Sequence, residues 1–291
     1  MKVCVLGAAG FIGKALVGRL DSLGFDLRCC DRRGGKVGNV KIETVDLANG
    51  DEFSEWMTRG EPDLIIHLAA QLPSSAADRD IDIIANNFTI DRNVYDFVRE
   101  GDSRLIFASS CAVYGGSEIP WREDALLAPD SPYGISKTIG EMMFRSCPGL
   151  NLTVLRISAP FGTDNPRHTV VNIFMERALK GKTLYLYGDG TREQDFVYIE
   201  DVCEAFVSAA KKNRPDTYNI ASGQSVSMKE LASMIVAVTK SKSKVEFADK
   251  ADPENGRVVK IEVGKAKRYL GFDASGSLRR GLDRMRGEAG G

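Results

Sequence analysis

Short apolar runs alternate with segments of helical periodicity through the first half of the chain. Val3-Cys4-Val5-Leu6 and Leu64-Ile65-Ile66-His67-Leu68 are nearly continuous apolar stretches, the pattern of strands covered on both faces of a parallel sheet. Strands are predicted at residues 2–6, 26–30, 64–68, 104–108 and 152–155. Helices are predicted from Ile12, around 51–57, from about 80 to 98, and from 133 to 144. This alternation predicts a parallel, doubly wound sheet. After Ile157 the pattern breaks up at Pro160, Gly162, Pro166, Gly181, Gly188 and Gly190, as in a loop-rich second lobe. A helix at 200–210 and a strand at 218–220 predict a return to the first domain, and residues 227 to about 278 a return to the lobe. The run from Lys240 to Lys244 reads as a solvated turn, and the glycine-rich end from Gly287 as frayed.

Composition narrows the class. The 291 residues carry a formal net charge of −1, with 43% hydrophobic and 27% charged positions, as in ordinary globular proteins. Near-neutral charge argues against nucleic acid as a partner. No apolar stretch approaches the roughly 18–20 residues of a membrane span. None of the six cysteines forms a C-x-x-C pair, and reduced thiols fit a cytoplasmic protein. With only His67 and His168, a histidine-rich metal site is not expected.

The first predicted strand runs into Gly7-Ala8-Ala9-Gly10-Phe11-Ile12-Gly13, and a helix follows. Glycines there let backbone N–H groups approach a pyrophosphate at a helix N-terminus. A glycine triplet alone also describes a tight strand–helix turn; the strand before it and the helix after it favour the dinucleotide. Asp31 ends the second strand, placed to accept hydrogen bonds from an adenosine ribose 2′-OH and to repel a 2′-phosphate. That favours NAD. Arg32 and Arg33 keep NADP possible, since an arginine there can bind the extra phosphate.

Tyr133 and Lys137 stand four apart at the start of a predicted helix and share a face. A neighbouring ammonium favours the phenolate of a tyrosine, which can then take a proton from a sugar hydroxyl. Ser110, just past the strand at 104–108, offers a hydroxyl at the carboxyl edge of the sheet, where such folds bind ligands. Either feature alone is common in unrelated chains.

Together with Asp46-Leu47, His67-Leu68-Ala69-Ala70, Asn87, Val113-Tyr114-Gly115, Gly188-Asp189-Gly190, Asp195-Phe196-Val197-Tyr198, Asp201-Val202 and Tyr218-Asn219-Ile220, these motifs resemble the extended short-chain dehydrogenase/reductase family. The resemblance is to its NAD-dependent nucleotide-sugar epimerase/dehydratase branch, UDP-glucose 4-epimerase-like, and covers nearly the whole chain. It implies an α/β fold: a Rossmann-type doubly wound parallel sheet with a smaller, mixed C-terminal substrate lobe. The expected division is 1–157 plus about 190–222 for the NAD(P)-binding domain, and about 158–189 plus 223–291 for the lobe. The resemblance further implies that Asp46 and Leu47 flank the adenine, that Ala69 lines the cofactor groove, and that Lys137 also holds the nicotinamide ribose. It places Asn87, with Ser110 and Tyr133, at the substrate. It implies a homodimer built on the helices at about 80–99 and 133–146. The chain departs from the family at Ala159, where asparagine is usual, and at Gln194, where arginine is usual; both positions lie near the substrate diphosphate. Arg192 is the expected replacement, with Arg257 as a second cation.

Dehydratases of this branch carry an Asp-Glu pair after the catalytic hydroxyl residue, whereas Cys111 and Ala112 follow Ser110 here. The expected activity is therefore epimerisation of a nucleotide diphosphate sugar at C4. The alternative is an NAD(P)H-dependent reductase of a 4-keto sugar; Ser109-Ser110-Cys111 and His168 resemble GDP-fucose synthase, in which a cysteine and a histidine epimerise the keto sugar before NADPH reduces it. Outside the enzyme class, a non-catalytic dinucleotide-binding protein would share the fold but need neither Tyr133 nor Lys137.

Overall fold

Val3 to Leu6 exclude water on both faces, and they form the middle of the sheet in the computed structural model, which describes residues 1–74, 80–167 and 169–289. The elements run β1 (Lys2–Leu6), α1 (Phe11–Ser22), β2 (Asp26–Asp31), β3 (Gly35–Val37), β4 (Val40–Thr44), α2 (Gly50–Met57), β5 (Leu64–His67), α3 (Asp82–Val98), β6 (Arg104–Ser110), α4 (Pro132–Arg145), β7 (Leu152–Ile157), β8 (Ala159–Phe161), α5 (Val170–Leu179), β9 (Leu184–Leu186), β10 (Glu193–Tyr198), α6 (Ile199–Lys212), β11 (Thr217–Ile220), β12 (Ser225–Ser227), α7 (Met228–Thr239), β13 (Val245–Phe247), α8 (Gly264–Leu270) and α9 (Ser277–Ala289). The large sheet has the order β11-β7-β6-β5-β1-β2-β4-β3. Every pairing in it is parallel except β3 with β4. This is a Rossmann-type doubly wound sheet, with its order reversing between β1 and β5. Leu16, Val17, Phe206, Ala209 and Leu270 from α1, α6 and α8 cover one face. Phe53, Trp56, Val94 and Phe144 from α2, α3 and α4 cover the other.

The smaller lobe has two sheets, β12-β10-β8 and β13-β9, with α5, α7 and α9 around a core that includes Phe161, Phe174, Leu231, Ile235 and Leu282. The packing departs from the expected division at two places. β10 pairs with β8 and β12, so residues 193–198 belong to the smaller sheet. Ala266, Leu270, Phe272 and Ala274 pack into the main core instead of the lobe. The chain end is not frayed at Gly287: α9 continues to Ala289 because Leu278, Leu282 and Met285 bury one stripe of it. No helix among the described residues is long and apolar enough to cross a membrane.

A buried ion pair ties α4 to the sheet. Arg156 of β7 donates to Glu141 of α4 through Nε (2.9 Å) and Nη2 (2.7 Å), and the Ser109 hydroxyl donates to the same carboxylate at 2.5 Å. Burial opposes ionisation of Glu141, but the bonds and charge of Arg156 outweigh it and hold the carboxyl below its usual range. Such a pair is costly to break from one side, because the remaining charge stays buried. Glu141→Gln should destabilise the protein by about 3–5 kcal/mol at pH 7, measured by urea unfolding. A carboxyl depressed in the fold stabilises above its unfolded pKa and loses that contribution as the pH falls through the folded value. The gap between wild type and variant should therefore shrink below about pH 4.

Candidate active site

The glycine turn after β1 has a conformation that side chains resist. Gly7 has φ +85°, and a Cβ there would lie 2.6 Å from the Ala69 backbone nitrogen. A Cβ on Gly13 would lie 2.4 Å from the Gly7 carbonyl oxygen. Gly10 is the N-cap of α1; it supplies no side-chain cap, and the first turn holds no acidic residue. The first N–H groups of α1 are thus open to an anion, and the missing Cβ atoms let it come close. Phe11 and Ile12 are half-buried and pack against the core of the smaller lobe, at the junction of the two parts. This cradle suits the pyrophosphate of a dinucleotide.

Asp31 is only 8% exposed. Its carboxylate accepts from the Ala9 N–H (3.1 Å) and the Arg33 N–H (2.9 Å), so it braces the glycine turn. Arg32 and Arg33 are exposed, with Arg33 Nε 3.9 Å from Asp31 Oδ1. Asp46 is exposed and accepts from the Ala48 N–H, while Leu47 is buried and its carbonyl accepts from Asn93. Ala69 is half-buried beside Gly7.

On the other side of the reversal, Ser110 ends β6 and its Oγ accepts from the Ala112 N–H at 3.1 Å. Ser131 caps α4 by accepting from the Gly134 N–H, and Pro132 fills the first helical position. A Cβ on Gly134 would lie 2.5 Å from the Ala112 carbonyl, so glycine lets the first turn of α4 lie against the turn after Ser110. That brings Tyr133 and Lys137 to the end of β6. Lys137 is 2% exposed; its Nζ lies 6.0 Å from the Tyr133 ring centroid and 4.7 Å from that of Phe107. Burial pushes the Tyr133 phenol well up; the Arg167 charge works against this, and Asp91 adds to it. Burial pulls Lys137 down, opposed by Asp91 and Glu141.

Asn87, Arg192, Arg257 and Cys111 are each engaged within the protein. Asn87 is 2% exposed: its Oδ1 accepts from the Gln71 N–H, and its Nδ2 donates to the Gln71 carbonyl and to Ser136 Oγ. It pins the segment after β5 to α4, and both amide hydrogens are engaged, so it has no donor left for substrate. Arg192 does not present a free cation, because Nε donates to Asp252 (2.9 Å) and Nη1 to Glu254 (3.1 Å). Arg257 is likewise bound to Glu254 at 2.6 Å, with Asp130 at 3.6 Å. Cys111 is buried and donates to the Arg156 carbonyl, and burial raises its thiol well above the usual range. His168 lies outside the described residues.

Arg167 was not singled out from the sequence. Its guanidinium donates to the Pro73 carbonyl, it forms no ion pair among the described residues, and its charge acts on Tyr133. It stands 34 residues from Tyr133 in a proline-containing loop, with Asp164 three residues before it, so no local pattern in the sequence marks it.

The profile of the NAD dependent epimerase/dehydratase family matches residues 3–221. The chain is 31% identical to a putative UDP-glucose 4-epimerase of Methanocaldococcus jannaschii, covering 97% of this chain and 96% of that one. It is 30% identical to a UDP-N-acetyl-alpha-D-glucosaminuronate decarboxylase of Bacillus cytotoxicus, covering 97% and 95%. The crystal structure of UDP-glucose 4-epimerase from Thermotoga maritima with UDP-glucose superposes with a TM-score of 0.88 at 27% identity, over 99% of this chain and 98% of that one.

The bracing of Asp31 yields a test of cofactor choice. NAD should bind more tightly than NADP in calorimetric titration, and Asp31→Ala should narrow the ratio about tenfold or more, the worth of a hydrogen bond to a charged group. An unchanged ratio would assign selectivity elsewhere.

Proposed function

The chain belongs to the NAD dependent epimerase/dehydratase family, with NAD as its cofactor, and on that premise we propose that it epimerises a nucleotide diphosphate sugar at C4. The observation that carries this reading is the Tyr133–Lys137 pair beside Ser110 with no acidic pair after the serine. Elimination of water needs a further acid and base, and Cys111 and Ala112 supply neither. Cys111, buried and bonded to the Arg156 carbonyl, adds no support for a keto-sugar reductase. Two exchangeable catalytic groups at Tyr133 and Lys137 also set the chain apart from a passive dinucleotide binder.

NAD, when bound, supplies a hydride acceptor that can also return the hydride. In this reading Gly7, Gly10 and Gly13 admit its pyrophosphate to the N-terminus of α1, where Phe11 and Ile12 begin the helix. Asp31 takes the adenosine ribose, with Arg32 at the rim; Asp46 and Leu47 flank the adenine, and Ala69 lines the groove. Lys137 holds the second ribose. Ser110 already accepts the Ala112 N–H, so its hydroxyl proton is left to donate to the C4 oxygen of the sugar. Tyr133 takes the C4 hydroxyl proton, holds it on the phenol oxygen, and returns it after the keto sugar has turned over. Because burial raises the phenol, this step depends on positive charge: Arg167 acts on the phenol, and the Lys137 ammonium lies 6.0 Å from its ring centroid.

Arg167, which forms no ion pair among the described residues, is the candidate cation for a sugar with its own anion, a uronic acid. The similarity to a decarboxylase of a uronic acid nucleotide supports the same substrate class. The buried, unpaired cysteines suit a reducing compartment such as the cytoplasm. Phe88 of α3 and Met142 of α4 stand exposed, as in a homodimer formed through these two helices.

Incubation with a panel of UDP-, dTDP-, GDP- and CDP-sugars, acidic and neutral, should yield a C4 epimer from at least one. Tyr133→Phe should lower that turnover by about 10²–10⁴-fold while melting temperature and NAD affinity stay near wild type. A dehydrated or decarboxylated product, or near-normal turnover in the variant, would reject the assignment.

A further inference from the structure

Beneath Tyr133 and Lys137 lies a second group of buried polar side chains to which the proposed chemistry gives no task. His67, the last residue of β5, is fully buried between Phe107 (ring centroids 5.6 Å apart) and Phe144 (6.1 Å). Its Nε2 lies 2.8 Å from Oδ1 of Asp91 on α3, and Asp91 is 2% exposed. Burial lowers the proton affinity of His67; the Asp91 bond and charge oppose that, and Lys137 adds to it. A neutral imidazole then donates from Nε2 to the carboxylate.

His67 Nδ1 and Asp91 Oδ2 find no hydrogen-bond partner among the described residues. Oδ2 faces α4 where Gly140 lacks a side chain: a Cβ there would lie 2.5 Å from Oδ2 and 2.8 Å from the Phe107 ring. Lys137 is three residues earlier on α4, and its Nζ sits over the same Phe107 ring. One carboxylate, one ammonium and one imidazole thus share a single dry layer around Phe107.

A buried ammonium keeps its proton only with an opposite charge nearby. The charged and titratable groups around Lys137 can be sorted. Glu141, one turn later on α4, is already matched by Arg156 and Arg145 and bonded by Ser109. Arg167, on the far side at Tyr133, is a like charge. Tyr133 is neutral until it loses its proton, and His67 is neutral. Asp91 alone has an unengaged oxygen.

We propose that Asp91, held by His67, is the counter-charge that keeps Lys137 an ammonium, and that His67 and Asp91 are positioning residues for acid–base chemistry at Tyr133. Their importance to turnover rests on the Tyr133–Lys137 reading above; the charge coupling itself does not. Removing a negative charge from this layer makes both Lys137 and Tyr133 give up protons more readily. Any limbs of the activity profile that report these two groups should then move together to lower pH.

The test uses the full chain with carbon-13 at lysine Cε, titrated by NMR, with the Lys137 signal identified by its loss in Lys137→Met. Asp91→Asn should move the Lys137 midpoint down by about one pH unit or more, the low end for a lost opposite charge. Any limbs of the kcat/KM profile that report Tyr133 or Lys137 should move the same way. His67→Leu, which removes the donor to Asp91, should move the midpoint in the same direction by less. A Lys137 midpoint that stays fixed or rises in folded Asp91→Asn overturns the proposal. Should Asp91→Asn not fold, a fixed midpoint in His67→Leu overturns it. A lowered midpoint in a protein that epimerises no sugar upholds the charge coupling and rejects only the reaction.

Discussion

The position of α4 is the constraint on which the rest depends, and the Glu141–Arg156 pair fastens it. Tyr133, Lys137 and Glu141 follow one another at intervals of four on one helix. Anchoring the third through two charged hydrogen bonds to β7 fixes where the first two stand. Glycines at 134 and 140 let the same helix approach the turn after Ser110 on one side and α3 on the other. A helix held this closely keeps a short acid–base pair in register with the end of β6, which loop-borne residues could not do as firmly.

Across the sheet reversal, the dinucleotide cradle follows the opposite logic. Where α4 is held by matched side-chain charge, the turn of Gly7 to Gly13 offers backbone N–H groups and no side chains. Asp31 braces that turn. The strand order reverses between β1 and β5, and the two groups of residues stand at the carboxyl ends of strands on either side of that reversal.

The central strands were legible because burial on both faces leaves an unbroken apolar run, and the glycine and Y-x-x-x-K motifs were legible because their chemistry is local. The edge and the lobe were less so. β3, β8, β9, β12 and β13 are three residues each, too short for a period to show, and several face solvent on one side. Side-chain engagement was the other blind spot. Sequence shows that Arg192 is positive; it does not show that Asp252, sixty residues later, has claimed it. The same holds for Asn87, whose amide looks free for substrate until Gln71 and Ser136 are seen against it. Asp91 and Arg167 were missed for the converse reason: their meaning comes from the groups that fold around Tyr133 and Lys137.

In the proposed reaction, Tyr133 and Lys137 serve an oxidation that is undone in the same site. The most direct measurement follows a nucleotide sugar deuterated at C4 through a single turnover on the NAD-bound protein. Return of the hydride to the same molecule predicts that the epimer keeps its deuterium at C4 with no net gain of NADH. Loss of the label from the sugar, or stoichiometric consumption of NADH or NADPH, would contradict epimerisation at C4.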